Sequence, residues 1–150
     1  MGTPEVIGDL HAGWVQDALG RPVSAIEVVP IAAGEGFMGQ LARVLVTSPD
    51  AAAPPSVIVK LPTSDPGGRL VGEMMRVWER EHCFYRDLAG DLSIRVPDVH
   101  LNTLEPPCLV LEDLAPSIAG DHLAGATPEQ ARRSIDVLAQ LHASWFEHPR

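Results

Sequence analysis

Short runs rich in valine, isoleucine and leucine recur along the chain, and turn residues separate most of them. Three such runs, residues 25–31, 41–46 and 57–61, lie in the first half of the sequence. Residues 96–104 and 108–111 follow later and are divided by the turn Glu105-Pro106-Pro107. Runs of this length and composition are typical of β-strands. The pattern therefore predicts five strands.

Apolar residues spaced three and four apart predict a helix before the strands and another after the third strand. For residues 4–19, Thr3-Pro4 is a start signal and Gly20 a stop signal. Its predicted buried positions are Val6, Leu10, Trp14 and Ala18. The second helix would cover residues 70–89 and end at Gly90, with Asp65 or Ser64 capping its start. Its predicted apolar stripe consists of Val71, Met74, Trp78, Tyr85 and Leu88.

A last helix is predicted from Thr127 to about Phe146. Thr127 and Gln130 have the spacing of a capping box, in which each side chain bonds the main chain of the other residue. The apolar face of this helix would contain Ala131, Ile135, Leu138, Leu141 or His142, and Trp145. Together these elements predict an α+β fold: a five-stranded antiparallel sheet with one packed helix, an N-terminal helix, and C-terminal linker helices.

Composition narrows the class of protein. A chain of 150 residues with 45% apolar and 21% charged residues is expected to fold as one globular unit. Its formal net charge of −9 argues against binding to nucleic acid or to an anionic membrane surface. Cys83 and Cys108 show no metal-binding spacing, and we interpret both as reduced core thiols of a cytoplasmic protein. No apolar run is long enough to span a bilayer.

A glycine-rich string lies between the first two predicted strands. It reads Gly34-Glu35-Gly36-Phe37-Met38-Gly39 and has the G-x-G-x-x-G spacing. In a dinucleotide-binding fold this string opens a helix, and an oxidoreductase of that type would need a helix beginning near Gly39. Here a strand-like run follows instead. That order favours the hairpin with which protein kinases cover the phosphates of ATP.

Lys60 and Glu81 are the candidate charged pair. Lys60 is the only lysine of the sequence and ends the third predicted strand, where it would deliver a compact ammonium group to a polyanion. Glu81 interrupts the apolar stripe of the second helix between Trp78 and Tyr85. A carboxylate on a core face is costly unless it is paired, so we predict an ion pair with Lys60. The alternative is that Glu81 lies at the edge of the stripe and is solvated.

With these motifs in place, the chain resembles the N-terminal part of an aminoglycoside-phosphotransferase-like kinase, in particular the ecdysteroid-kinase-like or choline-kinase-like branch. The resemblance spans nearly the whole chain. Besides the leading helix and the glycine string, it rests on Val57-Ile58-Val59-Lys60, Glu81-His82-Cys83-Phe84-Tyr85, Leu111-Glu112-Asp113-Leu114-Ala115-Pro116 and Leu141-His142-Ala143.

The resemblance implies a role for each matching residue. Gly34, Glu35, Gly36, Phe37, Met38 and Gly39 would cover the phosphates of ATP. Lys60 would hold the α- and β-phosphates, and Glu81 would orient Lys60. Ile58 would pack on adenine, Leu111 would lie behind it, and the Glu112 carbonyl and Leu114 amide would pair with the base. The side chains of Glu112 and Asp113 are expected to be solvated.

The sequence also departs from the family pattern. The His-Gly-Asp motif with an asparagine five residues after the aspartate is absent, as is a later aspartate for Mg²⁺; Ala119 and Ala126 stand where Gly120-Asp121 would need histidine and asparagine. We therefore expect residues 1–114 to be the ATP-binding N-lobe, and residues 115–150 the connector and first C-lobe helix of a longer enzyme. That enzyme would transfer the γ-phosphate of ATP to a small-molecule hydroxyl, with Mg²⁺ held by the other lobe.

A second hypothesis belongs to another class: a non-catalytic nucleotide-binding or dimerising module that uses the kinase N-lobe as a scaffold. The exposed apolar face of the last helix, with Ile135, Leu138 and Trp145, is expected to support self-association.

Overall fold

The computed structural model describes residues 2–31, 39–117, 120 and 123–146. Its strands are β1 (Ala25–Ile31), β2 (Gly39–Thr47), β3 (Ser56–Pro62), β4 (Val99–Leu104) and β5 (Pro107–Glu112). Its α-helices are α1 (Ala12–Leu19), α2 (Pro66–Met74), α3 (Val77–Cys83) and α4 (Pro128–Trp145). The α+β class is therefore confirmed.

The five strands form one antiparallel sheet in the order β1-β2-β3-β5-β4. All five predicted strands are present, although β4 begins at Val99 rather than at residue 96. Lys60 on β3 lies between Leu41 of β2 and Leu109 of β5. Two residues earlier on β3, Ile58 lies between Arg43 of β2 and Leu111 of β5. These two cross-strand rows occupy one face of the sheet.

The opposite face of the sheet carries the core. Side chains of successive strand residues point to opposite faces, and in β3 Val57, Val59 and Leu61 are at most 1% exposed. They pack with Val44 and Val110 of the neighbouring strands and with Trp14 of α1. Alternate residues of β3 therefore separate a core face from a face available for a ligand.

The N-terminal helix is shorter than predicted. Helix α1 begins at Ala12, not at Pro4, and His11 caps it by accepting a hydrogen bond from the Trp14 amide at 3.3 Å. A 3₁₀ turn, Ile7–Asp9, precedes it. The Ile7 amide donates instead to Oε1 of Gln40 on β2 at 3.2 Å, so a tertiary contact replaces a helical one. Gly20, with φ of 61°, ends the helix as predicted.

The predicted second helix, residues 70–89, is wrong in its start and in its continuity. Helix α2 begins earlier, at Pro66, with Asp65 as its cap, and the chain breaks at Arg76, which has a left-handed φ of 53°. After α3 come a π-helical turn, Phe84–Leu88, and a 3₁₀ turn, Ala89–Asp91, so the helical path runs past Gly90. The break at Arg76 divides the predicted apolar stripe between separate helical segments, and Met74 is 77% exposed.

Helix α4 has the predicted bounds and the predicted capping box. The Gln130 amide donates to Thr127 Oγ1 at 3.2 Å, and the Thr127 amide donates to Gln130 Oε1 at 2.8 Å. Its apolar positions Ile135 and Leu138 are 64% and 50% exposed. In the part of the chain that the structure describes, no helix combines the length and apolar character needed to cross a bilayer.

Candidate functional site

One cross-strand row organises the candidate site. In sheet order it consists of Leu41 on β2, Lys60 on β3, Leu109 on β5 and Asn102 on β4. Because directly opposed residues of paired strands point to the same side, these four side chains share the face opposite the core. Helix α3 contacts β4 and β5, so the short helix that carries Glu81 lies close to this row.

Lys60 and Glu81 form the predicted ion pair. Lys60 Nζ lies 2.7 Å from Oε1 and 2.6 Å from Oε2 of Glu81. The two side chains are 33% and 24% exposed, so the pair is shielded from bulk water but open to a ligand on one side. The alternative, a solvated Glu81 at the edge of the stripe, is wrong.

A second contact attaches α3 to the same row. Asn102 Nδ2 donates to the main-chain oxygen of His82 at 3.1 Å, so Asn102 Oδ1 faces the imidazole as an acceptor. His82 Nδ1 lies 2.7 Å from that oxygen, which assigns the proton to Nδ1. Glu81 and His82 are adjacent, and their partners Lys60 and Asn102 are separated by one strand. Helix α3 is therefore held to the sheet at two points. No pattern in the sequence indicated the pairing of His82 with Asn102.

The space beneath α3 is filled. The crevice bordered by Lys60, Trp78, Glu81 and Cys108 has a volume of only about 10 Å³, too small for a ligand. The Trp78 ring lies so close to Gly72 of α2 that a β-carbon at Gly72 would come within 2.7 Å of it. A ligand would have to reach the Lys60 ammonium from the part of this sheet face that α3 does not cover.

A larger cavity lies on the same face of the sheet, beside Ile58, two residues before Lys60 on β3. It has a volume of about 420 Å³, within the range of small-molecule sites. Its lining includes all four residues predicted to surround a nucleobase: Ile58, Leu111, Glu112 and Leu114. Arg43, Asp113, Leu41 and Ile31 also line it. Lys60 and Ile58 are two residues apart on an extended strand, a separation of about 6.6 Å along the chain. The ion pair and the cavity are therefore neighbours.

Asp113 is not solvated, contrary to expectation, since its side chain is only 4% exposed. Arg43 donates two hydrogen bonds to the Asp113 carboxylate: Nε lies 2.6 Å from Oδ2 and Nη2 lies 3.1 Å from Oδ1. Ser56 Oγ donates to Oδ2 at 2.7 Å, and the Ala115 amide donates to Oδ1 at 3.1 Å. Burial opposes ionisation of this carboxyl, but the hydrogen bonds from Arg43, Ser56 and Ala115 outweigh it and lower the pKa of Asp113.

Glu112 is also engaged rather than simply solvated. Its carboxylate pairs with Arg95 and accepts a hydrogen bond from the Asp98 amide at 3.0 Å. The hydrogen bond from Arg95, followed by that from Asp98, lowers the pKa of Glu112. Because both contacts are to the segment that enters β4, the Glu112 side chain is turned to the β4 edge. Glu112 is also one of the residues that line the cavity.

Most of the predicted phosphate-covering loop lies outside the described residues. This applies to Gly34, Glu35, Gly36, Phe37 and Met38. Gly39 is described and begins β2, so a strand follows the glycine string and the dinucleotide-binding alternative is wrong. A β-carbon at Gly39 would lie 3.3 Å from the Leu61 carbonyl oxygen and 3.9 Å from Lys60 Cε. The end of the string thus passes beside the Lys60 stem.

The two cysteines differ in environment. Cys108 is buried on the core face, and burial raises the pKa of its thiol to about 12. Cys83 is half-buried on α3, and both are free thiols. Among the described residues, no group of three or more histidine, cysteine, aspartate or glutamate side chains is arranged to hold a metal ion.

No protein-family model matches the chain, and no curated protein sequence matches it.

Proposed function

We propose that this chain is the ATP-binding lobe of a small-molecule kinase, which transfers the γ-phosphate of ATP to a substrate hydroxyl. The observation that carries the proposal is the Lys60–Glu81 ion pair beside a cavity lined by Ile58 and Leu111. In protein kinases a strand lysine paired with a helix-borne glutamate holds the phosphates of ATP in this way.

The charged end of the site suits a polyphosphate. The Lys60 ammonium is a compact charge with three donors, and Glu81 binds it from the side of α3 only. The open side remains for phosphate oxygens, and the carboxylate fixes the direction of the lysine stem. Gly39 allows the backbone to run beside this stem, where a larger residue would press on the Leu61 carbonyl. The preceding glycines would then supply amide donors over the phosphates.

The apolar end suits a flat base. Ile58 and Leu111 lie opposite each other on β3 and β5 and form one wall of the cavity. Glu112 and Leu114 border it where the chain leaves the sheet, so main-chain donors and acceptors are available to the edge of a base. Small-molecule sites commonly combine apolar walls with a few polar groups in this way.

The residues of this chain account for nucleotide binding rather than for the complete reaction. Phosphoryl transfer also needs a group that orients the acceptor hydroxyl and Mg²⁺ that neutralises developing charge. We assign both to residues outside the site described above. The chain's own contribution is to hold the triphosphate with Lys60 and Glu81 and to fix the base.

The test is ATP binding by the chain and by its Lys60→Ala variant. A nucleotide at ten times its Kd stabilises the folded state by about 1.4 kcal/mol, which raises Tm by about 3–5 °C in a domain of this size. We expect this shift for the wild type with ATP, with and without Mg²⁺, and its loss in Lys60→Ala. In a complete enzyme, Lys60→Ala should abolish activity without unfolding the protein.

Arg69→Ala is the matched control, because it also removes one cation, but from an exposed position on α2. It should keep the ATP-dependent shift. A wild-type chain that ATP does not stabilise, or a Lys60→Ala variant that binds ATP normally by calorimetry, would contradict the proposal.

A non-catalytic nucleotide-binding or dimerising module is the second candidate. The exposure of Ile135 and Leu138 on α4 favours it, because a solvent-facing apolar stripe is typical of a helix that packs against a partner. A nucleotide-binding module would bind ATP as the kinase lobe does and would differ from it in phosphate transfer by an enzyme that contains this chain. A purely dimerising module would not bind ATP.

A further inference from the structure

We propose that Asp113 is a positioning residue that fixes the chain after β5 so that its main chain reads the nucleobase. The inference rests on the proposed function and assigns the binding of the base to a network that the sequence did not suggest. The network, here called the Asp113 lock, consists of Asp113, Arg43, Ser56 and the Ala115 amide.

The lock lies between the two residues expected to meet the base. Asp113 separates Glu112 from Leu114, and all three residues line the cavity of about 420 Å³. This segment has already left the sheet, since β5 ends at Glu112. Without a tertiary contact its peptide groups would be free to rotate, and ordering them would oppose binding.

Each partner ties Asp113 to a different part of the fold. Arg43 belongs to β2 and Ser56 begins β3, two of the strands that line the cavity. The Ala115 amide binds Asp113 Oδ1 from two residues along the chain, and the Ser117 amide binds the Leu114 carbonyl at 2.8 Å. The segment is therefore closed locally and fastened to the sheet.

The geometry of the lock is specific. The guanidinium of Arg43 meets both carboxylate oxygens, an arrangement that fixes direction as well as distance. Each Asp113 oxygen has two donors: Oδ2 accepts from Arg43 and Ser56, and Oδ1 accepts from Arg43 and Ala115. Because its side chain is also only 4% exposed, Asp113 is not placed to bind a ligand directly. It acts through the main chain on either side of it.

The experiment compares ATP with inorganic tripolyphosphate, which has the phosphates but no base. Affinities for the wild type and for Asp113→Asn would be measured by calorimetry. We expect Asp113→Asn to weaken ATP about tenfold, as for loss of a well-made hydrogen bond, and to leave tripolyphosphate unchanged within about twofold. Lys60→Ala should weaken both ligands, because both are held by the ammonium.

Asp50→Asn is the matched control. Asp50 also pairs with an arginine, Arg21, at 2.7 Å and also accepts from an amide two residues ahead, that of Ala52, at 2.9 Å. It lies in the turn between β2 and β3 and does not line the cavity. This variant should keep the wild-type ratio of ATP to tripolyphosphate affinity.

Ser56→Ala removes one donor from the lock and keeps the ion pair, so it serves if Asp113→Asn does not fold. It should shift the affinity ratio in the same direction by a smaller factor. An unchanged ratio in a folded lock variant, with normal ATP binding by the wild type, would overturn this inference and leave the proposed function intact. A wild-type chain that binds neither ligand would overturn both.

Discussion

At Gly72 the indole ring of Trp78 occupies the space where a side chain would begin. A β-carbon there would lie 2.7 Å from two ring carbons, closer than atoms in well-packed proteins approach. The ring is wide and has little room to move, since Trp78 also borders the filled crevice next to Glu81. Gly72 therefore sets how closely α2 and α3 can pack.

Gly72→Ala should destabilise the fold, although alanine is the better helix former. Overpacking costs about 1–3 kcal/mol, and the gain in helix propensity is about 1 kcal/mol. The difference leaves a fall in the free energy of unfolding of up to about 2 kcal/mol, measured by urea denaturation.

The control is Gly13→Ala in α1, where the new β-carbon would lie 3.4 Å from His11 Nδ1, an ordinary contact. This variant should be neutral or more stable than the wild type. Equal effects of the two substitutions would show that the Trp78 contact does not limit the packing of α2 and α3.

Single residues were predictable where their chemistry conflicts with their surroundings. Lys60 follows the apolar run Val57-Ile58-Val59 and Glu81 interrupts an apolar stripe, so each needed a charged partner and the pair could be predicted. Asp113 follows a strand in a polar segment, where a solvated carboxylate is the usual outcome. Its partner Arg43 is 70 residues away on β2, and only the folded sheet brings the two together.

At the scale of elements, α3 is a seven-residue helix whose position depends on tertiary contacts. Arg76 with its left-handed φ precedes it and a π-helical turn follows it. Helices this short have little stability of their own. The two hydrogen bonds between His82 and Asn102, together with the ion pair of Glu81, hold α3 over the Lys60 row.

Asn102→Ala should loosen α3 and lower nucleotide affinity without unfolding the sheet. Losing the hydrogen bonds to His82 costs about 1–1.5 kcal/mol, so amides of α3 should exchange about tenfold faster. Amides of β2 and β3 should keep their protection. Hydrogen exchange measured by mass spectrometry would report both segments, and calorimetry with ATP would report the affinity.

Thr103→Val is the neighbouring control. The Thr103 hydroxyl donates to the Pro106 carbonyl at 2.9 Å, within the turn between β4 and β5. Its loss should leave α3 exchange unchanged. If Asn102→Ala also left α3 protected, the His82–Asn102 pair would not be a support of this helix.

Strand positions were easier to predict than helix continuity. The strands were predicted from short apolar runs bounded by turn residues, and such runs are visible in the sequence without knowledge of the fold. The break at Arg76 carries no such signal, because glycine is the residue expected in a left-handed conformation. The break between α2 and α3 coincides with the contact of the Trp78 ring with Gly72 and not with a local turn motif.

At the scale of the whole molecule, α4 is separate from the core. All residues of this helix except Leu141 and Trp145 are exposed. Its capping box stabilises the helix locally, which explains why its bounds could be predicted from local signals alone. Its position relative to the sheet could not be predicted, since the apolar face meets no complementary surface that a sequence pattern identifies.

We expect the isolated chain to self-associate through Ile135 and Leu138. Leu138→Glu places a charge in the apolar face and should shift the chain to monomer in sedimentation analysis. Gln140→Glu adds the same charge on another face of the helix and should leave association unchanged. A wild-type chain that is monomeric at tens of micromolar would contradict this expectation.

Strand β3 serves two purposes with one alternation, because Val57, Val59 and Leu61 complete the core while Ile58 and Lys60 face the open side. Deleting one residue within this strand would exchange the core-facing and open-facing residues and place the Lys60 ammonium in the apolar core. The number of residues in β3 is consequently as critical as the identity of Lys60. The turn at residues 49–55 has no such restriction and is the place where changes in chain length should be tolerated.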